Sequence, residues 1–159
     1  MTADSHEGTE RAITELGIRR LAARYCVSVD DGQFGEFERL WSDDARMHVM
    51  GATYVGAGAI RGFLEPAQPP ELRGKHFTSS HLIEWGDSDA PSGSVEMQRA
   101  VGWVDFVFFD RSGKCLQVGR YHDEYVHLAG DSDLWQFSVR EIVFIGESPQ
   151  ITDPPRIFG

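Results

Sequence analysis

The chain predicts an α+β domain, helices first and a mainly antiparallel sheet after them. Three observations carry that expectation: apolar residues recur at helical intervals up to about residue 64, the period changes to two from His76 onward, and turn residues cut that second half into four runs of strand length. Helices laid against such a sheet give a layout in which the sheet wraps the helices around a cone-shaped cavity open at one end. At 159 residues the chain fits a single domain, able to bury about 70% of its unfolded surface and so to keep a core around a cavity. The expected division is a disordered N-terminus over residues 1–8, a folded domain over 9–146 and a Pro-rich tail over 147–159.

The first helix starts near Thr9, where Ile13, Leu16, Ile18, Leu21, Ala22, Tyr25 and Val29 form one apolar stripe. Asp31-Gly32 ends it, with glycine in a left-handed C-cap. Phe34, Phe37, Leu40 and Trp41 give a short second helix closed by Ser42-Asp43-Asp44, and residues 46–49 alternate weakly as a strand. Turns at Gly51 and Gly56-Ala57-Gly58 precede a third helix over residues 59–64, stopped at Pro66, and Pro66 to Pro70 reads as a surface loop or pocket rim. Strands follow at about residues 76–85, 96–109, 116–128 and 135–144. Their turns at Gly86-Asp87-Ser88-Asp89, Asp110-Arg111-Ser112-Gly113 and Ala129-Gly130-Asp131-Ser132 make an antiparallel meander.

Charge and composition narrow the function. With 25 acidic residues against 15 Lys plus Arg, the surface repels polyanions, which argues against a nucleic-acid partner. No apolar run approaches the roughly 18 residues that cross a bilayer, so the expectation is a cytoplasmic protein away from the membrane. Cys26 and Cys115 stand far apart in no CxxC spacing and read as free thiols. A phosphate-binding loop is not spelled, since Gly56-Ala57-Gly58 lacks a following Lys-Ser/Thr, and there is no GxSxG elbow. His122, Asp123 and His127 do not make a metal set, because His122 and Asp123 point to opposite faces of one strand.

The residues that can do chemistry are Tyr25 and Asp30, where the first helix runs out, and His76 at the start of the first long strand. A phenol, a carboxylate and an imidazole meeting in one pocket move protons without metal or cofactor. Singly, each has a plainer reading: Tyr25 as a helix core residue, Asp30 as a helix-end residue beside an equivalent Asp31, His76 as a strand-edge histidine. His81, five positions on, points away from His76 in a regular strand and stands as a spare candidate. Trp103 and Asp105 share a strand face with Val101 and Val107, and a carboxylate among apolar neighbours is either a second pocket acid or an edge or interface residue. Tyr121, Asp123 and Tyr125 share another face, lining the cavity or stacking in the core.

An ordered set of short pieces carries a resemblance: Arg24-Tyr25 with Asp30, Leu40-Trp41-Ser42-Asp43-Asp44-Ala45, Gly51 with Gly56-Ala57-Gly58-Ala59-Ile60, His76, Gly86-Asp87, Gly119-Arg120-Tyr121-His122-Asp123-Glu124-Tyr125, and Trp135 with Arg140. Over roughly residues 10–146 the chain resembles the SnoaL-like group of the nuclear transport factor 2-like superfamily. The resemblance implies a cone-shaped α+β barrel, packed through its sheet as a homodimer or homotrimer. The scaffold hosts dehydratases, isomerases, cyclases and catalytically silent subunits, so it implies no single activity. Among its enzymes the pattern is similar to bile-acid 7α-dehydratases and hexachlorocyclohexane dehydrochlorinases, in which Asp30 would match the site aspartate and His76 the base. Tyr25 would match the dehydratase tyrosine. Scytalone dehydratases fit less well, having tyrosine and aspartate adjacent. The enzymes add an arginine on the last strand, whereas Arg140 falls several residues early.

The chemistry so implied is cofactor-independent elimination or isomerisation on a small hydrophobic, oxygenated ring compound such as a steroid or polyketide. His76 would take a carbon-bound proton, its reference pKa of about 6.5 suiting a base at neutral pH. Asp30 would fix its tautomer and Tyr25 would donate to the leaving hydroxyl or an enolate oxygen. Trp103, Asp105, Tyr121 and Arg140 complete the expected substrate-binding set. The competing class is a non-catalytic one, a ligand-binding protein or a subunit of the dioxygenase β type.

Overall fold

The structure, a computed structural model, describes residues 3–85, 97–128 and 134–156. Helix α1 (Ala3–Asp30) begins six residues before the expected start at Thr9. Its packed stripe is Ile18, Leu21, Ala22, Tyr25 and Val29, while Ile13 and Leu16, which share that spacing, are 64% and 66% exposed. Amphipathic spacing therefore marks the helix correctly, but only its second half meets the sheet. Gly32 ends α1 at φ +70, its N–H bonded to the Val29 carbonyl and that of Gln33 to the Ser28 carbonyl, the left-handed exit expected of Asp31-Gly32.

The next elements depart from the periodicity reading. Helix α2 (Phe34–Glu38) stops before Trp41, and β1 (Trp41–Val49) takes over the segment expected to close it. Pairing explains the change: β1 lies parallel to the last strand and antiparallel to β2 (Ala52–Val55), a short strand that the glycine turns around it conceal. Helix α3 (Ala57–Ala67) carries Pro66 in its last turn and ends one residue later, Pro66 having no N–H to give the i−4 carbonyl. The long strands match expectation closely: β3 (Lys75–Trp85), β4 (Met97–Phe109), β5 (Cys115–Leu128) and β6 (Gln136–Phe144). The Asp110 turn is as expected, whereas the turns at residues 86–89 and 129–132 lie outside the described residues.

The sheet order is β2-β1-β6-β5-β4-β3, so the meander holds for β3 to β6 and the one parallel pair joins β1 to β6. The sheet is not closed; β2 and β3 are its edges. Inner-face residues Ala100, Val104, Phe106, Tyr121, Tyr125 and Phe137 pack with Ile18, Leu21, Tyr25 and Val29 of α1 as one core. The tail turns back over the outer face of its own sheet. There the Glu141 carboxylate accepts from the N–H groups of Gln150, Ile151 and Thr152 and from the Thr152 hydroxyl, and these bonds hold its pKa low against the opposing effect of burial.

The start of β3 is fixed by a glycine with no room to spare: a Cβ on Gly74 would collide with the Phe109 backbone carbonyl across the β3–β4 pair. Backbone cannot yield as a flexible side chain can. Gly74→Ala is expected to destabilise the chain by about 1–3 kcal/mol, seen as a lower urea midpoint with an unchanged m-value.

Candidate active site

Asp30 and His76 meet, as their order in the sequence implied. The last turn of α1 brings the Asp30 carboxylate to the first residues of β3, where Oδ1 lies 2.6 Å from His76 Nδ1 and Oδ2 accepts the His76 backbone N–H at 2.9 Å. Both side chains are buried, 8% exposed for His76 and 4% for Asp30. An ionised carboxylate only accepts, so Nδ1 carries the proton and Nε2 presents its lone pair, with no hydrogen-bond partner among the described residues. Asp31, the alternative carboxylate, points outward and pairs with Lys75 at 2.8 Å. The imidazole packs on Phe108 and Phe106, at 4.7 and 6.4 Å between ring centres. Phe106 stacks on Tyr121 at 4.2 Å, which leads to the middle of the core.

There Arg140 is fully buried. Its Nε and one terminal nitrogen each donate to Asp123 at 2.7 Å, and its guanidinium carbon lies 4.1, 4.0 and 4.2 Å from the ring centres of Tyr25, Tyr121 and Phe137. A bidentate ion pair packed in aromatic faces is a coherent way to keep such a charge out of water. Burial works to lower the pKa of Arg140, and the Asp123 carboxylate overrides it, holding the group above its ordinary range. The second terminal nitrogen, Nη1, is buried without a partner among the described residues, and so is the indole nitrogen of Trp41. Burial pushes the Tyr25 phenol up to about 12 against the pull of Arg140, so it is a protonated donor at neutral pH. Burial also raises the Tyr121 phenol well above its ordinary value.

A second histidine joins this network. Ser79 pairs with Asp105 and Leu82 with Trp103, three residues on β3 against two on β4, and Ser80 within that step has φ +47. The bulge inverts the alternation, so His81 faces the interior as His76 does, contrary to the opposite orientation expected of a regular strand. The Tyr125 hydroxyl donates to Asp123 at 2.9 Å, which leaves His81 Nε2–H to donate to the Tyr125 oxygen at 3.2 Å. Burial lowers the His81 pKa to about 4, more than Asp123 raises it.

Trp103 and Asp105 do not join the site. In register with His122 and Arg120, they stand on the outer face, opposite Val104 and Phe106. Trp103 donates to the Asp153 carbonyl of the tail at 3.1 Å and Asp105 accepts from Arg120 at 2.5 Å. A carboxylate among apolar neighbours was the misleading signal, since the tail and Arg120 supply its surroundings. Asp123 is the important residue outside the expected set; its signal was alternation with Tyr121 and Tyr125 plus its register opposite Arg140. The interior around Arg140 is filled by its own rings, with Tyr25 and Tyr121 each 2% exposed. Larger cavities lie elsewhere: one of about 820 Å³ is bordered by Asp30, Arg73 and Phe77, and one of about 540 Å³ by Asp105, Arg120 and Pro154. Among the described residues no cluster could hold a metal ion.

The SnoaL-like domain family matches residues 10–141, and the chain belongs to that family. No curated protein sequence matches it. Solved structures share its α+β cone fold. A variant of Rv3472, a protein of unknown function from Mycobacterium tuberculosis, is 23% identical with a TM-score of 0.71, over 86% of this chain and 74% of that one. The type 2 hexachlorocyclohexane dehydrochlorinase LinA is 21% identical with a TM-score of 0.65, over 94% and 99%. A putative scytalone dehydratase from Novosphingobium aromaticivorans is 19% identical with a TM-score of 0.62, over 91% and 93%.

Two measurements check this electrostatic account. Removing one member of the buried pair by Arg140→Met strands Asp123 and is expected to cost about 3–5 kcal/mol, whereas Asp123→Leu combined with Arg140→Met recovers most of that loss in urea unfolding. His81 is neutral in the fold down to about pH 4, while the unfolded chain takes up that proton near 6.5. The unfolded state therefore binds more protons between those values, and stability falls as pH drops through that window. In His81→Gln the melting temperature should depend less on pH over the same range.

Proposed function

We propose that this chain is a cofactor-independent acid–base enzyme, a dehydratase-type lyase or an isomerase, acting on a largely apolar oxygenated ring compound such as a steroid or polyketide. The observation that carries the reading is the buried Asp30–His76 pair, whose fixed tautomer leaves Nε2 free as a base. In the reaction His76 Nε2 takes a proton from a carbon beside a carbonyl; in a dehydration that proton goes to the β-hydroxyl, which leaves as water as the double bond forms, and in an isomerisation it returns to another carbon of the enolate. Asp30 stabilises the imidazolium, and Arg140 with the protonated Tyr25 and Tyr121 forms an electropositive aromatic wall for the oxygen on which charge develops. That general base and its orienting carboxylate supply factors of about 10²–10⁴ each. Dehydrochlorination and dehydration, the activities named for LinA and for the putative scytalone dehydratase, are both eliminations, which supports the reading. The expected form is a cytoplasmic homodimer or homotrimer.

The filled interior favours a second reading, a non-catalytic scaffold subunit, because substrate reaches His76 and Arg140 only if the rings around them part. A chain that is insoluble without a large co-expressed partner supports that alternative; a stable homo-oligomer that turns over substrate supports the first. The direct test incubates the protein with a panel of β-hydroxy and β-halo ring ketones in heavy water and follows the α-hydrogen by NMR. Wild type is expected to exchange or eliminate it, with His76→Ala and Asp30→Asn slower by about 10²–10⁴-fold and His76→Ala melting within a few degrees of wild type. Equal rates in wild type and His76→Ala would end the proposal.

A further inference from the structure

The cavity of about 820 Å³ lies where α1 runs out against the ends of β3 and β4, and the candidate active site makes no use of it. The His76 ring packs inward on Phe108, whereas the next residue, Phe77, lines the cavity edge-on to Phe109, at 5.5 Å between ring centres. Phe77 is 61% exposed, a large ring left in water on a cavity wall. Three carboxylates and three cations line the same space, so net charge does not select a ligand; the groups still unpaired do. The acids are spent. Asp30 holds His76, Asp31 holds Lys75 at 2.8 Å, and Asp110 Oδ1 accepts from the N–H groups of Ser112 and Lys114 and from the Ser112 hydroxyl. The two arginines are not. Arg73 Nε donates to the Gln68 carbonyl at 3.1 Å and Arg111 Nη1 to the Pro70 carbonyl at 3.2 Å, and neither pairs with a carboxylate among the described residues. Those carbonyls stand two residues apart on one loop, which ties both guanidiniums to the same wall. Arg73 also lies over Gly32, where a Cβ would collide with it, and a cation suits the C-terminal end of a helix. That contact fixes the side chain in place.

We propose that this cavity binds an aromatic carboxylic acid, with its carboxylate on Arg73 and Arg111 and its ring against Phe77 and Phe109. The site goes beyond the acid–base reading and does not depend on it, because Phe77 and the His76 ring face opposite sides of β3. A guanidinium is a planar fork of donors that matches a carboxylate, which suits it to this ligand. Most of a chain with a formal net charge of −10 repels anions, so two guanidiniums without counter-charges make a local exception. The same three acids limit the charge that can enter: a singly charged carboxylate is tolerated beside Asp30, Asp31 and Asp110 better than a dianionic phosphate. Phe77 and Phe109 add the apolar part, since a ring laid on them removes exposed aromatic surface from water. The volume lies within the range of about 300–1,000 Å³ usual for small-molecule sites.

Isothermal titration of the whole chain compares 2-naphthoate with 2-naphthamide, which keeps the ring body and the shape but carries no charge. Wild type is expected to bind the acid about tenfold or more tightly than the amide. Arg73→Gln and Arg111→Gln should each weaken the acid by about 3–10-fold and leave the amide as it was. Phe77→Ala should weaken both ligands alike, since it removes the ring contact and no charge. Inorganic phosphate at the concentration of the acid should not displace it. An acid that does not bind, equal affinity for acid and amide, acid binding untouched by both arginine variants, or displacement by phosphate overturns the proposal. Should Arg73→Gln fail to fold, Arg111→Gln, in an exposed turn, decides alone. None of these readouts involves turnover, so an elimination reading lost because His76→Ala matches wild type would leave this site standing, and loss of this site would leave that reading intact.

Discussion

The arrangement of this core depends on one ion pair. Arg140 and Asp123 face each other across β6 and β5, fully enclosed, and everything around them is arranged to make that tolerable: two parallel hydrogen bonds, a third donor from Tyr125, and ring faces on three sides. Buried pairs of this kind contribute little net stability over an apolar core of equal volume. What they provide is a fixed charge in a place where water would otherwise screen it. The strand register follows from the same constraint, since sliding β6 by one residue would turn Arg140 to the outer face and leave Asp123 without its counter-charge.

Around that charge the molecule keeps two histidines of β3 in different hydrogen-bonded states. His76 Nδ1–H donates to Asp30 and Nε2 stays open; His81 Nε2–H donates to the Tyr125 oxygen and the ring stands neutral well below the usual imidazole range. One carboxylate and one phenol thus set opposite tautomers on the same strand face. The first arrangement suits proton abstraction, and the second suits holding an acidic partner in place.

Much of this was legible from the residues alone, and the exceptions have physical causes. The long strands, the glycine exit from α1 and the Asp30–His76 meeting follow from period-two alternation, a left-handed position that glycine fills without strain, and the ordered motif. Phe34, Phe37 and Leu40 lead into Trp41 at helical spacing, whereas the pairing of β1 with a strand about a hundred residues later decides its conformation. Trp103 and Asp105 looked like pocket residues because alternation tells which residues share a face but not which face is inside. His81 was misplaced by a single extra residue, for which Ser80 in a left-handed conformation gives no composition signal.

That extra residue has a consequence for how the chain tolerates change. On β3 the positions before and after Ser80 are out of phase, so His76 and Trp85, nine apart, serve the same side of the sheet although an odd separation would ordinarily divide them. Losing one residue together with the bulge would leave the two eight apart in a regular strand and still on one side, whereas losing one while the bulge persists would turn either His76 or the His81 and Trp85 half outward. Length variation in this segment is therefore tied to the bulge, and a single deletion conserves the wiring of the interior only where the bulge goes with it.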